Sequence, residues 1–137
     1  MTHSAAETEA VGAALARELD AGDVVLLSGE MGSGKSTLVR GAARALGFQG
    51  PVTSPTYALV HRYEGGRAPI AHLDLHRLTA VAADDEGLID DHLTPEAIGF
   101  VEWPQLVVEL LPRPPRATVQ LDHGEDDTRS ITVRMMR

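Results

Sequence analysis

One short segment of the chain gathers the residue types that bind phosphate. Residues 29–36 read Gly-Glu-Met-Gly-Ser-Gly-Lys-Ser, the Gly-x4-Gly-Lys-Ser spacing of a P-loop. Its glycines let the backbone aim successive N–H groups at one point, and a helix opening directly after it would add a positive end. Lys35 is the candidate for the β- and γ-phosphates of ATP, and the Ser36 hydroxyl is a candidate Mg²⁺ ligand. Glu30, Met31, Gly32, Ser33 and Gly34, with Thr37 closing the motif, complete the expected nucleotide contacts. Composition sharpens this reading. Of the 12 basic residues, eleven are arginine, and the single lysine is Lys35. A chain that uses arginine everywhere else places its one compact, flexible ammonium where a planar guanidinium would be too bulky.

Phosphoryl chemistry also needs an acid near the metal, commonly at the end of a neighbouring strand. Two apolar runs end in one: Ile70 to Asp74 and Ile98 to Glu102. Spacing alone does not choose between them. His72, Asp74 and His76 alternate, so on a continuing strand they would share a face. A transition-metal trio is one reading of that pattern; histidines that pack or bond at the strand end are the plainer one. Thr53, Ser54 and Thr56 lie on a segment stiffened by Pro51 and Pro55, where a hydroxyl either senses the γ-phosphate or serves turn chemistry. Trp103, the only tryptophan, follows Glu102 as a core or interface anchor or as a cover for the site. The chain holds no asparagine, so the Asn-Lys-x-Asp guanine-reading motif of GTPases is excluded.

The elements that must position these residues can be read in order. Ser4-Ala5-Ala6-Glu7 has the form of a capping box opening a helix. Val11, Ala14, Leu15 and Leu19 then recur at helical spacing, with Gly22 as the expected stop. Asp23 to Ser28 suits a buried parallel strand. After the glycine-rich loop, a second helix is expected over 35–46, with Leu38, Ala42, Ala45 and Leu46 on its apolar face and Gly47 ending it. Strand, loop, helix is the context a P-loop requires. Residues 57–63 and 68–73 read as strands joined across Glu64-Gly65-Gly66-Arg67. An acidic stretch with Asp84, Asp85, Glu86, Asp90 and Asp91 reads as a solvated helix and loop. The strand to Glu102 precedes a short helix after Pro104. Residues 117–121 and 130–135 finish as a hairpin. The expected fold is α/β: a single P-loop NTPase-like domain over 1–137, with a mostly parallel central sheet, antiparallel hairpin additions and flanking helices.

Bulk properties narrow the function. With 137 residues there is room for one small core and little for an acceptor-substrate domain, which disfavours a small-molecule kinase. A net charge of −8 argues against direct gripping of nucleic acid, which needs clustered Lys and Arg. The apolar runs are too short to span a bilayer. The first residues are acidic where a secretory leader needs a basic patch, and cysteine is absent. A cytoplasmic protein without membrane association is therefore expected.

The motif order G-E-M-G-S-G-K-S-T, S-P-T-Y-A-L-V-H-R-Y, H-L-D-L-H-R-L and F-V-E-W-P resembles the TsaE (YjeE) family, small bacterial ATPases of tRNA threonylcarbamoyladenosine biosynthesis. The resemblance runs from about Thr8 to the last hairpin. It implies that Lys35 holds phosphate, that Ser36 and Glu102 hold Mg²⁺, and that Asp74 is an acid needed for hydrolysis. It further implies a switch-like Thr56 near the γ-phosphate, Thr8 near the adenine and Arg129 flanking the nucleotide. Ser36 stands where the family more often has threonine, keeping the hydroxyl. His76 replaces a tyrosine, and the acidic segment after Leu78 follows no family pattern. The partners implied are TsaB and TsaD, with tRNA reached through that complex, and an ATPase that is weak alone and stimulated by them. The competing expectations are a P-loop small-molecule kinase and a nucleotide sensor that does not hydrolyse.

Overall fold

A computed structural model describes residues 4–29, 34–49, 60–64, 66–74, 92–102, 111, 114–123 and 128–136, with backbone alone at 60, 74, 123 and 129. In chain order they form α1 (Ala5–Ala16), β1 (Val24–Gly29), α2 (Lys35–Ala45), β2 (Val60–Tyr63), β3 (Ile70–Asp74), β4 (Ile98–Glu102), β5 (Ala117–His123) and β6 (Arg129–Met135). The phosphate-loop residues 30–33, the segment holding Thr53, Ser54 and Thr56, His76, the acidic stretch 84–91, and Trp103 with the helix expected after Pro104 lie outside the described residues.

The strands build one sheet in the order β2-β3-β4-β1-β5-β6. β3, β4, β1 and β5 are mutually parallel, and β2 and β6 are added antiparallel at the two edges. This is the mostly parallel sheet with hairpin additions that the sequence predicts. The reason is local. β1 and β4 are apolar on both faces and buried along the run, as inner parallel strands must be. The two hairpins carry polar residues toward solvent at the edges, where Arg62 and Arg134 are exposed. None of the described helices is long and apolar enough to cross a membrane.

Alternate residues of the strands face α1 and α2. Val25, Leu27, Ile70, Ile98, Phe100, Val119 and Leu121 form one core with Leu15, Leu19, Leu38, Val39, Ala42 and Leu46. Each fully buried Leu, Ile or Phe side chain contributes about 1.5–3 kcal/mol through removal of apolar surface from water. On the opposite face Val24, Leu26, Leu73 and Val101 are buried, and Leu93 packs so close to Gly99 that a Cβ there would lie 2.4 Å from its Cδ2.

The helices depart from expectation in one instructive way. α1 buries Thr8, Gly12, Leu15 and Ala16, while Val11 is half-buried and Ala14 exposed; on α2, Ala45 is exposed. The cause is a close crossing of the two helices. A Cβ on Gly12 would fall 2.0 Å from the Leu38 carbonyl oxygen, and one on Gly41 would fall 1.9 Å from that of Glu9. The small residues, rather than the apolar stripe, set the contact face. Ser4 caps α1 by accepting from the Glu7 N–H at 3.2 Å, worth about 1 kcal/mol. The helix ends before Gly22: Glu18 and Leu19 donate to the carbonyls of Leu15 and Ala16, three residues back, a tightened turn that keeps Leu19 in the core. Gly22 instead donates to Ala97 at 2.8 Å, joining the turn before β1 to the start of β4.

Candidate nucleotide site

Parallel strands bring their carboxyl ends to one edge of a sheet, and in α/β folds that edge is where ligands bind. Here Gly29 ends β1, Glu102 ends β4 and Asp74 ends β3. The register sets Glu102 opposite both Leu27 and Asp74. On the other side β5 runs to His123, which pairs with Arg129 at the start of β6. The backbones of Asp74, Glu102, Gly29 and Arg129 are thus placed along the same edge.

α2 opens at that edge. Its N-terminal cap is Gly34, whose φ of 104° lies in the left-handed region that a side chain would strain. Having no side chain, Gly34 supplies no cap acceptor to the first N–H groups of α2. Those N–H groups and the helix dipole are what a phosphate would meet. Ser36 and Thr37 are half-buried on the first turn. Thr8 is buried, and a Cβ on Gly34 would lie 3.6 Å from its Cγ2 and 3.7 Å from Leu121 Cδ2. α1 therefore delivers Thr8 to the end of the phosphate loop, beside β5.

The polar centre lies beneath. Lys35 is only 5% exposed, and its ammonium donates to the Gly29 carbonyl. Nζ is also 4.0 Å from Glu102 Oε1. Glu102, 2% exposed, has its other oxygen, Oε2, hydrogen-bonded to His72 Nε2. His72 is fully buried, and its Nδ1 lies 3.3 Å from the Tyr63 hydroxyl. A buried ammonium or carboxylate is tolerable only when paired and hydrogen-bonded. Four residues from α2, β4, β3 and β2 meet that demand together.

Of the residues singled out in the sequence, the structure joins Lys35 and Glu102 directly and sets Gly34, Ser36, Thr37 and Thr8 around the start of α2. Asp74 and Arg129 are placed by backbone only. Glu30, Met31, Gly32, Ser33 and Thr56 fall outside the described residues. His72 has a role that the alternation with Asp74 and His76 did not reveal, because its ring is engaged by Tyr63 and Glu102 on the adjoining strands. Tyr63 was missed altogether. The available signal was its place on a hairpin with β3: once Val60 pairs with Leu73, Tyr63, His72 and Glu102 fall on one face of the sheet.

Comparison with known proteins points to one family and one fold. The model of the family "Threonylcarbamoyl adenosine biosynthesis protein TsaE" matches residues 2–131. The chain is 40% identical to the tRNA threonylcarbamoyladenosine biosynthesis protein TsaE of Streptomyces coelicolor, over 90% of this chain and 86% of the relative. It is 35% identical to the protein of the same name from Bacillus subtilis, over 92% and 78%. The crystal structure of Bacillus subtilis YdiB superimposes with a TM-score of 0.77 at 29% identity, covering 96% of this chain and 80% of that one.

Proposed function

The chain belongs to the TsaE family of tRNA threonylcarbamoyladenosine biosynthesis, and from that premise we propose that it is a MgATP-binding ATPase whose hydrolysis drives turnover of a TsaB–TsaD complex. What carries the reading is the buried Lys35 between the Gly29 carbonyl and the Glu102 carboxylate. It sits at the start of a helix whose N–H groups have no side-chain cap. An ammonium, the N–H groups of a helix start and an adjoining acid suit a triphosphate and its metal.

The donor set fits Mg²⁺, a hard cation that takes oxygen ligands: the Ser36 hydroxyl and the Glu102 carboxylate would hold it. Bound there, the ion would offset the negative charge of the phosphates. Lys35 and the first N–H groups of α2 bind the phosphates and orient them. Asp74 acts on the attacking water directly or through its orientation, and Thr56 senses the γ-phosphate. Thr8 lies on the adenine side, with Arg129 flanking from β6. The tRNA is held by TsaB–TsaD, which transfer the threonylcarbamoyl group to the adenosine beside the anticodon. A net charge of −8 supports that indirect role, and on this reading the protein works in the cytoplasm as a single ATPase domain.

The test is reconstitution with TsaB, TsaD, tRNA and the activated threonylcarbamoyl donor. Repeated modification cycles should require this chain and hydrolysable ATP, and TsaB–TsaD should raise a weak intrinsic ATPase rate. Rapid hydrolysis by the chain alone, unchanged by TsaB–TsaD, refutes the proposal. Transfer of labelled phosphate to a metabolite would replace it with a kinase.

A further inference from the structure

We infer that His72 and Tyr63 are positioning residues for Glu102, an inference that rests on the MgATP reading above. The three side chains form a file across β2, β3 and β4 on the face covered by the helices. A carboxylate can only accept hydrogen bonds, so the His72 nitrogen facing Glu102, Nε2, carries the hydrogen. In the neutral ring Nδ1 then accepts from the Tyr63 hydroxyl, 3.3 Å away. The carboxylate thus sets the tautomer, and the Tyr63 hydroxyl, by donating to Nδ1, satisfies the second ring nitrogen and holds the imidazole with its donor on the acid. With Oε2 held in this way, Oε1 is the oxygen turned toward Lys35.

Packing makes the file rigid. The Tyr63 ring lies against Phe48, with ring centroids 5.1 Å apart, and the Phe48 N–H donates to the Ala43 carbonyl in the last turn of α2 at 3.0 Å. His72 shows no exposed surface. A slot this dry would take an apolar side chain at lower desolvation cost. An imidazole there, bonded at both nitrogens, does what an apolar residue cannot: it removes the rotamer freedom of a long acidic side chain. Glu102 therefore offers one fixed oxygen to the phosphate site.

The test reads metal coupling, the ratio of the Kd for a fluorescent ATP analogue in EDTA to that in saturating Mg²⁺, on the full chain. Glu102→Gln sets the reference by lowering the ratio. His72→Leu should lower it by about tenfold or more, the usual effect of removing a group that orients a metal ligand. Tyr63→Phe, which deletes one hydroxyl and keeps the ring, should lower it by about two- to tenfold. His72→Gln, with an amide N–H able to donate to Glu102, should recover part of the loss. If Glu102→Gln lowers the ratio while folded His72→Leu and Tyr63→Phe keep the wild-type value, the positioning inference is overturned and the MgATP reading stands. If His72→Leu does not fold by circular dichroism, Tyr63→Phe alone decides by the same criterion. A wild-type chain without coupling, or Glu102→Gln with undiminished coupling, overturns the reading of Glu102 itself and the inference with it.

Discussion

Replacing Gly41 by alanine reverses the sign expected of such a change in a helix. In an ordinary helix interior, glycine to alanine stabilises by about 0.5–1 kcal/mol through propensity and unfolded-state entropy. Gly41 lies where α2 meets α1. An added Cβ there would sit 1.9 Å from the Glu9 carbonyl oxygen, against 3.4 Å for ordinary contact. The difference, 3.4 − 1.9 = 1.5 Å, must come from separating the helices, because the opposing atom is helix backbone and cannot turn aside. Overpacking of this kind costs about 1–3 kcal/mol, and a rigid backbone partner places this case at the upper end. With about 1 kcal/mol of propensity gain set against it, the net loss is about 2 kcal/mol, or roughly 5–8 °C in Tm for a chain of this size.

The separation would also reach the nucleotide site. Thr8 precedes Glu9 on α1, and its methyl group lies by Gly34 at the opening of α2. Gly41→Ala should therefore weaken ATP-analogue binding as well as lowering Tm, measured by fluorescence titration and by thermal unfolding followed by circular dichroism. Gly12→Ala, facing the Leu38 carbonyl at 2.0 Å, should do the same. The double variant should lose less than the sum, since one displacement relieves both clashes. A Gly41→Ala protein as stable as the parent, or more so, would refute the close helix crossing and the coupling drawn from it.

Three further outcomes are expected. Lys35→Ala should weaken ATP binding by about 10- to 100-fold, the loss of one charge-assisted contact with phosphate, read by the same titration. Ser4→Ala removes the acceptor that caps α1; it should cost about 1 kcal/mol in chemical denaturation and leave the slope unchanged. Asp74→Asn should lower ATP hydrolysis in the presence of TsaB–TsaD while metal coupling of nucleotide binding persists, and loss of both together would assign Asp74 to the metal.

Much of the sheet was legible because its signals are local. The V-V-L-L run before the glycine loop lies within one strand, and the strand pairs expected on either side of residues 64–67 and at the end of the chain join neighbours in sequence; the described residues form β1 and both antiparallel pairs where expected. The α1 face was read in part: Leu15 and Leu19 are in the core and Val11 packs against it, but Ala14 is exposed, and hydrophobic periodicity gives the glycines of the contact no weight. Yet it is the missing Cβ of Gly12 and Gly41 that lets the backbones meet. The partnership of His72 with Glu102 was illegible for a different reason. It joins residues 30 apart in sequence, through a strand order that no local pattern specifies.

That strand order also bears on the two acids that spacing left equal. Neighbouring strands lie about 4.8 Å apart, and the order places β4 next to β1 with β3 beyond it. Glu102 is therefore one strand from the phosphate loop and Asp74 two, though both end their strands at the same level. Only the nearer acid can share the buried pocket with Lys35, and a carboxylate there requires a hydrogen-bond donor to compensate its lost hydration. His72 can supply that donor because its strand, β3, lies directly beside β4, two residues before the end that carries Asp74. The H-x-D spacing thus has a physical reading. The first residue steadies the inner acid, the last reaches the edge as the outer one, and a single strand serves both.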